Sequence, residues 1–119
     1  MIRGVHTMFY SSKADELRAF LRDKLQLPAV DVGEGWLIFD LPEADMGVHP
    51  TDHNPKSPPS GTTHLSFYCD DIQTTVKELK SRGVEFTQDI VEQDWGYLTS
   101  MKVPGAFEVM LYQPKYRKS

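Results

Sequence analysis

The amino-acid sequence predicts an α+β fold built from two copies of one β-α-β unit, and three observations support this. The pattern His-x-x-Phe-Tyr begins at position 6 and again at position 64, an offset of 58 (64 − 6) in a chain of 119 residues. Each copy of the pattern is followed by an amphipathic helical stripe. Several short extended segments follow each stripe, so strands outnumber helices, which is typical of α+β folds.

The first predicted helix covers about 13–27. Ser12 followed by Asp15 is a variant of the capping box, and Pro28 ends the helical pattern. Between them, one helical face carries the apolar stripe Leu17, Phe20, Leu21 and Leu25.

The second predicted helix covers about 71–82. Asp70 followed by Gln73 offers the same kind of cap, and Gly83 is suited to a left-handed C-terminal stop. The apolar stripe of this helix is Ile72, Val76 and Leu79.

Further strands are expected at 35–40, 46–49, 85–90, 97–103 and 107–112. The stretch 50–61 holds four of the eight prolines and cannot continue a strand or helix. We therefore expect one domain, 1–119, with a first module at about 1–50, a linker at about 51–62 and a second module at about 63–119.

The composition is that of an ordinary globular protein, with 39% hydrophobic and 25% charged residues. A net charge of −4 argues against a nucleic-acid partner, because phosphate backbones require a basic surface. The sequence shows no apolar run long enough for a signal peptide or membrane span. Cys69 is the lone cysteine, so no intrachain disulfide is expected. These features predict a cytoplasmic protein with no membrane partner.

Alternation along the predicted strands places His6, His64 and Glu108 on corresponding faces, because residues two apart point to the same side. The opposite positions are more uniformly apolar and are expected to face the helices. Glu108 is the oddity of its strand, since a buried carboxylate without a partner is costly. Two histidines and one carboxylate on neighbouring strands form a set that binds a divalent ion such as Fe, Mn, Ni or Zn and leaves coordination positions open. The pattern thus predicts a catalytic metal site.

Three stretches carry a family resemblance: His-Thr-Met-Phe at 6–9, His-Leu-Ser-Phe-Tyr-Cys-Asp-Asp-Ile at 64–72, and Pro-Gly-Ala-Phe-Glu-Val at 104–109. They resemble the vicinal oxygen chelate superfamily, which contains glyoxalases, bleomycin-resistance proteins and extradiol dioxygenases. The resemblance implies two βαβββ modules that form a cup-shaped mixed sheet with helices on the outer face. It also implies metal ligands at His6, His64 and Glu108.

The fourth ligand position of the glyoxalases is usually a Glu, and here the resemblance offers His49 as the best candidate. This departure weakens a glyoxalase assignment, although Glu108 and His49 remain the predicted acid/base residues. The predicted substrate pocket is lined by tyrosines, namely Tyr10, Tyr68, Tyr97 and Tyr112.

Two functions follow from the resemblance. The first is a metal-dependent enzyme acting on a small molecule with vicinal oxygens, either a lyase or isomerase or an extradiol ring-cleaving dioxygenase. The alternative is a metal-free protein of the bleomycin-resistance kind that sequesters a planar small molecule. Because members of this family commonly pair modules, a homodimer is expected in either case.

Overall fold

The computed structural model describes residues 1, 6–41, 43–51, 55–56 and 58–116, and its elements confirm the α+β class. In chain order they are α1 (Ala14–Ala19), a π-helical continuation of α1 (Phe20–Lys24), β1 (Ala29–Asp31), β2 (Leu37–Phe39), β3 (Ser66–Tyr68), α2 (Ile72–Ser81), β4 (Val91–Gln93), β5 (Gly96–Val103) and β6 (Phe107–Pro114). No helix among the described residues is long and apolar enough to cross a membrane.

The second half of the chain forms a four-stranded mixed sheet in the order β3-β6-β5-β4. β5 and β6 make an antiparallel hairpin whose register runs from Gly96 opposite Pro114 to Val103 opposite Phe107. β3 lies parallel to β6, with Ser66 beside Met110. Parallel neighbours need a long crossover, and α2 provides part of it between β3 and the later strands.

The core lies on one face of this sheet. Met101 on β5 is fully buried, and so is Thr99, whose hydroxyl donates to the Gln88 carbonyl at 2.8 Å. The other buried apolar side chains come from the helices, the segment after α2, β5 and β6, and they include Leu17, Phe20, Leu21, Ile72, Val76, Leu79, Val84, Val103, Val109 and Leu111. In β6 the predicted alternation is confirmed, since Val109 and Leu111 are buried while Glu108 is exposed.

The two helices begin at other caps than the sequence predicted. α1 has Lys13 at its N-cap, and the Ser11 hydroxyl, not Ser12, accepts from the Lys13 N–H at 3.0 Å. α2 is capped by Asp71, whose carboxylate accepts from Thr74 N at 3.1 Å, so the prediction of Asp70 was one residue early. The predicted stop is confirmed, because Gly83 has φ +87° just after α2.

The first half is less regular than the repeat predicts. β1 and β2 pair into a separate two-stranded sheet, of which the sequence predicted only β2. The described residues 6–10 and 43–51 form no strand, although both regions were expected to contain one. Gly47 and Pro50 disfavour strand continuation, and Met46 and Val48 are exposed without a facing strand.

Several contacts join the two halves of the chain. The Phe9 ring lies 6.5 Å from Phe67 and 6.0 Å from Phe107 between centroids, so the phenylalanines of the repeat pack together. The Ser11 hydroxyl donates to the Pro104 carbonyl at 2.9 Å. Arg82, after α2, donates to the Lys24 carbonyl at 3.1 Å.

Candidate functional site

All four predicted metal ligands, His6, His49, His64 and Glu108, have exposed side chains. Glu108 lies opposite Lys102 in the β5–β6 ladder, but the Lys102 ammonium pairs with Glu85 at 3.5 Å. The Glu108 carboxylate instead accepts a hydrogen bond from the Thr87 hydroxyl at 2.5 Å. Because Glu108 is exposed, water can solvate its carboxylate, and the buried carboxylate that the sequence suggested is not present.

The four residues do not assemble a metal site in this conformation. Within the described ranges, no three side chains of His, Cys, Asp or Glu converge closely enough to hold an ion. A zinc-like ion needs its nitrogen and oxygen ligands within about 2.0–2.2 Å, so these residues as placed do not fit one. His6 and His49 lie in segments that form no strand, which removes the rigid support that the repeat implied. Their role as ligands stays a prediction.

The pairing of β3 with β6 nevertheless gives two of the predicted metal ligands, His64 and Glu108, corresponding positions in the sheet. Ser66 and Met110 are partners in the parallel register, and each stands two residues after a predicted ligand, His64 and Glu108. Extending the register by two residues would bring His64 beside Glu108 on the same face, at about the 4.8 Å spacing of neighbouring strands.

The predicted pocket tyrosines divide into two groups. Tyr68 and Tyr97 line cavities at the end of the four-stranded sheet that contains Pro114. Tyr112 stands beside these cavities, with its ring 5.3 Å from Trp95 and 6.3 Å from Tyr116. Tyr10 is 89% exposed and lines neither cavity. We call the cluster formed by Tyr68, Trp95, Tyr97, Tyr112 and Tyr116 the aromatic end of the sheet.

Two adjoining cavities lie at the aromatic end and share Asp70 and Gln113. The first has a volume of about 290 Å³ and is lined by Glu43, Tyr68, Cys69, Asp70, Gln113, Pro114 and Tyr116. The second, of about 360 Å³, is lined by Asp70, Asp71, Ile72, Gln73, Tyr97 and Gln113. Both cavities are open to solvent, and their volumes lie just below and just above the lower limit of the range for small-molecule sites, roughly 300–1,000 Å³.

Hydrogen bonds fix several of the lining groups. Gln113 Oε1 accepts from the Ile72 N–H at 2.8 Å, which ties the end of β6 to the first turn of α2. The Tyr116 hydroxyl donates to the Asp45 carboxylate at 3.2 Å, so the segment around 43–45 is held against the aromatic end.

The electrostatic setting of the aromatic end keeps the Tyr112 phenol neutral. Partial burial, helped by the neighbouring Tyr116 and the charge of Asp45, raises the pKa of Tyr112 far above its usual value. Burial likewise raises the pKa of the Cys69 thiol, so this cysteine is an unreactive thiol at neutral pH. Lys115 lies 5.1 Å above the Tyr97 ring and donates to Glu92 at 2.7 Å. The hydrogen bond to Glu92 raises the pKa of Lys115 and lowers that of Glu92.

Sequence reasoning missed Gln113, Asp70 and Tyr116 as lining residues. Gln113 falls on the face of β6 that alternation assigned to packing. It lines the cavities and also accepts from the Ile72 N–H, and this second contact forms only because α2 begins close to the end of β6. Tyr116 lies in a basic tail, Lys115-Tyr116-Arg117-Lys118, that carries no strand pattern. Only the recurrence of aromatic residues at 112 and 116 pointed to it.

The family of the chain follows from comparison with known proteins. The model of the Glyoxalase/Bleomycin resistance protein/Dioxygenase superfamily matches residues 3–111. The protein therefore belongs to this superfamily, and the resemblance inferred from the sequence is confirmed. No curated protein matches the chain by sequence.

Solved structures of low sequence identity share the fold. One is TnmS3, an antibiotic binding protein from Streptomyces sp. CB03234, with a TM-score of 0.65 and 20% identity over 97% of this chain and 100% of that chain. Another is lactoylglutathione lyase from Agrobacterium tumefaciens, with a TM-score of 0.62 and 18% identity over 90% of each chain. A glyoxalase/bleomycin resistance protein from the same Streptomyces strain has a TM-score of 0.59 and 21% identity over 87% of this chain and 93% of that chain. The fold is thus shared by proteins named as enzymes and as binders.

Proposed function

We propose that this protein binds a small organic molecule at the aromatic end of the sheet and that binding, not catalysis, is its function. The observation that carries the proposal is the pair of adjoining cavities that meet at Asp70 and Gln113. One has Tyr68 and Tyr116 in its wall and the other has Tyr97. The antibiotic-binding name of TnmS3 supports a binder as a function compatible with this fold.

The chemistry of the walls suits a flat ligand. Tyrosine rings offer broad apolar faces, and stacking or edge-on contact with an aromatic ligand adds about 0.5–1.5 kcal/mol beyond the burial of area. The Gln113 side-chain amide and the Asp70 carboxylate supply a few polar contacts that orient such a ligand. The Cys69 thiol in the wall of the first cavity has a raised pKa, which makes it a poor nucleophile.

A thermal-shift screen with planar aromatic compounds, followed by calorimetric titration of the best compound, tests this proposal. Ligands that bind only the folded state raise the unfolding midpoint by mass action. We expect Tyr97→Ala and Tyr68→Ala to weaken binding about threefold to tenfold, which corresponds to loss of one aromatic contact. Tyr10→Ala is the matched control, because Tyr10 is 89% exposed and lines neither cavity. Equal weakening by all three variants would refute the location of the site.

A metal-dependent enzyme is the second candidate, favoured by the β3–β6 register, which would place His64 beside Glu108 if the pairing extended two residues beyond Ser66 and Met110. It would be a lyase or isomerase, as lactoylglutathione lyase is named, or an extradiol dioxygenase, acting on a molecule with vicinal oxygens. The proposed ligands are His6, His64, Glu108 and His49, with Glu108 and His49 as acid/base residues and Fe, Mn, Ni or Zn as the ion.

Metal analysis of protein purified without an affinity tag tests this second candidate. This candidate requires about one equivalent of a divalent ion that is lost in His64→Ala and in Glu108→Gln but retained in Asp89→Asn, a control carboxylate outside the predicted set. A folded protein that neither contains nor takes up any of the four ions excludes the metal-dependent enzyme and leaves the binder.

We also propose that the protein is a cytoplasmic homodimer. Exposed apolar side chains concentrate in the first half, where β1 and β2 form a sheet apart from the other strands; they include Val30, Val32, Trp36, Ile38, Met46 and Val48. Such an apolar surface is costly in water and is typical of an interface. Sedimentation equilibrium of the purified chain distinguishes a dimer from a monomer, and a concentration-independent monomer mass would exclude the dimer.

A further inference from the structure

We propose that the first cavity of the aromatic end, lined by Glu43, Asp70, Tyr68 and Tyr116, selects organic cations, such as a quaternary ammonium group attached to an aromatic ring. This inference rests on the proposed binding function and specifies the charge of the ligand. It concerns the Pro114 end of β6, whereas the predicted metal ligand Glu108 lies near the other end of that strand. Six strand positions separate Glu108 from Pro114, which corresponds to about 20 Å.

The charges in this cavity are of one sign. Glu43 and Asp70 are its charged lining residues, and none of its described lining residues is Lys, Arg or His. No ion pair joins Glu43 or Asp70 to a cation within the described part of the chain. Two carboxylates that form no ion pair with a described residue favour a positively charged ligand beside the cavity and disfavour an anion.

The aromatic rings reinforce this preference. The face of a tyrosine ring is electron-rich and attracts a cation that lies within about 6 Å of its centroid. The Tyr116 ring is held in the wall by the hydrogen bond from its hydroxyl to the Asp45 carboxylate. A cation–π contact of this kind is present at the second cavity, where the Lys115 ammonium lies 5.1 Å above the ring of Tyr97. That ammonium is already neutralised by Glu92 at 2.7 Å, so it leaves the first cavity acidic.

Three probes of similar size and different charge test the inference: benzyltrimethylammonium, benzyl alcohol and benzenesulfonate. Binding is followed by nuclear magnetic resonance of the ¹⁵N-labelled protein. The Gln113 side-chain amide lines the cavity, and the Trp95 indole is next to Tyr112. Trp36, the other tryptophan, lies against Arg18 and lines neither cavity, so its indole signal is an internal control.

We expect benzyltrimethylammonium to shift the Gln113 and Trp95 signals saturably, with a dissociation constant in the millimolar range, and to leave Trp36 unchanged. Benzenesulfonate should produce no saturable shift. The double variant Glu43→Gln with Asp70→Asn should weaken binding of the cation about fivefold or more, because it removes both negative charges of the cavity wall. Glu16→Gln with Glu34→Gln removes the same charge from residues outside the cavity and should leave the affinity unchanged.

The outcomes separate this inference from the proposed function. Equal affinity for benzyl alcohol and the cation, or equal weakening by the two double variants, overturns selection for cations while the binding site remains. Failure of all three probes to shift Gln113 or Trp95 overturns the inference and also the small-molecule site at the aromatic end.

Discussion

Replacing Gly96 with alanine should disturb the aromatic end directly. Gly96 is buried at the start of β5 opposite Pro114, and a methyl group there would lie 2.5 Å from Cε2 of Tyr112 and 2.5 Å from the Gln113 carbonyl oxygen. Carbon atoms pack best at about 3.5–4.0 Å, so the ring must move by roughly 1 Å or more. The carbonyl belongs to the backbone of β6 and cannot yield as easily.

Two effects of Gly96→Ala can be estimated. Overpacking of this kind costs about 1–3 kcal/mol in the free energy of unfolding, which a domain with a typical stability of about 5–15 kcal/mol tolerates. The added methyl group also presses on the backbone of Gln113, whose side chain lines both cavities, so the strain reaches the binding site. We therefore expect a lower urea midpoint and an affinity for benzyltrimethylammonium that is weaker by roughly twofold to tenfold.

Gly105→Ala is the matched control at the opposite end of the same hairpin. Gly105 has φ +111°, a conformation that costs other residues about 1–3 kcal/mol, and an added methyl group would overlap the Ser11 hydroxyl. This variant should lose at least as much stability as Gly96→Ala but keep full probe affinity. The reasoning is refuted if Gly96→Ala binds the probe normally, or if Gly105→Ala weakens binding equally at temperatures where both variants are folded.

Three further predictions concern stability. Asp71→Ala should lower the free energy of unfolding by about 1 kcal/mol through loss of the α2 cap, whereas Asp70→Ala should not, and urea denaturation of the two compares them directly. Met101→Ala should cost about 2–5 kcal/mol because Met101 is fully buried, and a smaller loss in the same assay would show that the site collapses around the change. Tyr112→Phe should reduce the loss of stability at alkaline pH. The pKa of Tyr112 is raised in the folded chain, so above about pH 10 the folded chain binds more protons than the unfolded chain. The free energy of unfolding of the parent therefore falls as the pH rises, and the variant lacks this contribution. Identical pH slopes for the variant and the parent between pH 9 and about pH 11 would contradict this assignment.

The second half of the chain was largely predictable because its local signals agree with one another. The apolar stripe of α2, the stop at Gly83 and the alternation of β6 all recur in the structure. Cap positions were wrong by one residue, since neighbouring polar side chains such as Asp70 and Asp71 offer the same chemistry. Which of them caps a helix depends on the path of the preceding strand.

In the first half of the chain, local sequence patterns predicted the strands poorly. The repeat predicted a strand around His6, but the residues at 6–10 have no sheet partner in this single chain, and strand propensity is expressed only against a neighbour. The cavities could not be predicted from local patterns either, because they depend on contacts between distant parts of the sequence. They arise where Glu43, Asp70 and Gln113 meet, and these residues are far apart in sequence. The tyrosines Tyr68 and Tyr97 were found because aromatic residues mark potential walls even when the rest of the site is unknown.

The bond from the Ile72 N–H to Gln113 gives the protein a built-in reporter of occupancy. Gln113 lines both cavities while it satisfies the first amide of α2, so a bound molecule that stiffens this side chain also slows the opening of that helix turn. Amide hydrogen exchange at Ile72 should then slow on binding, while exchange in the distant hairpin β1–β2 follows only the change in global stability. Compounds could be ranked by this difference in protection without knowledge of the natural ligand.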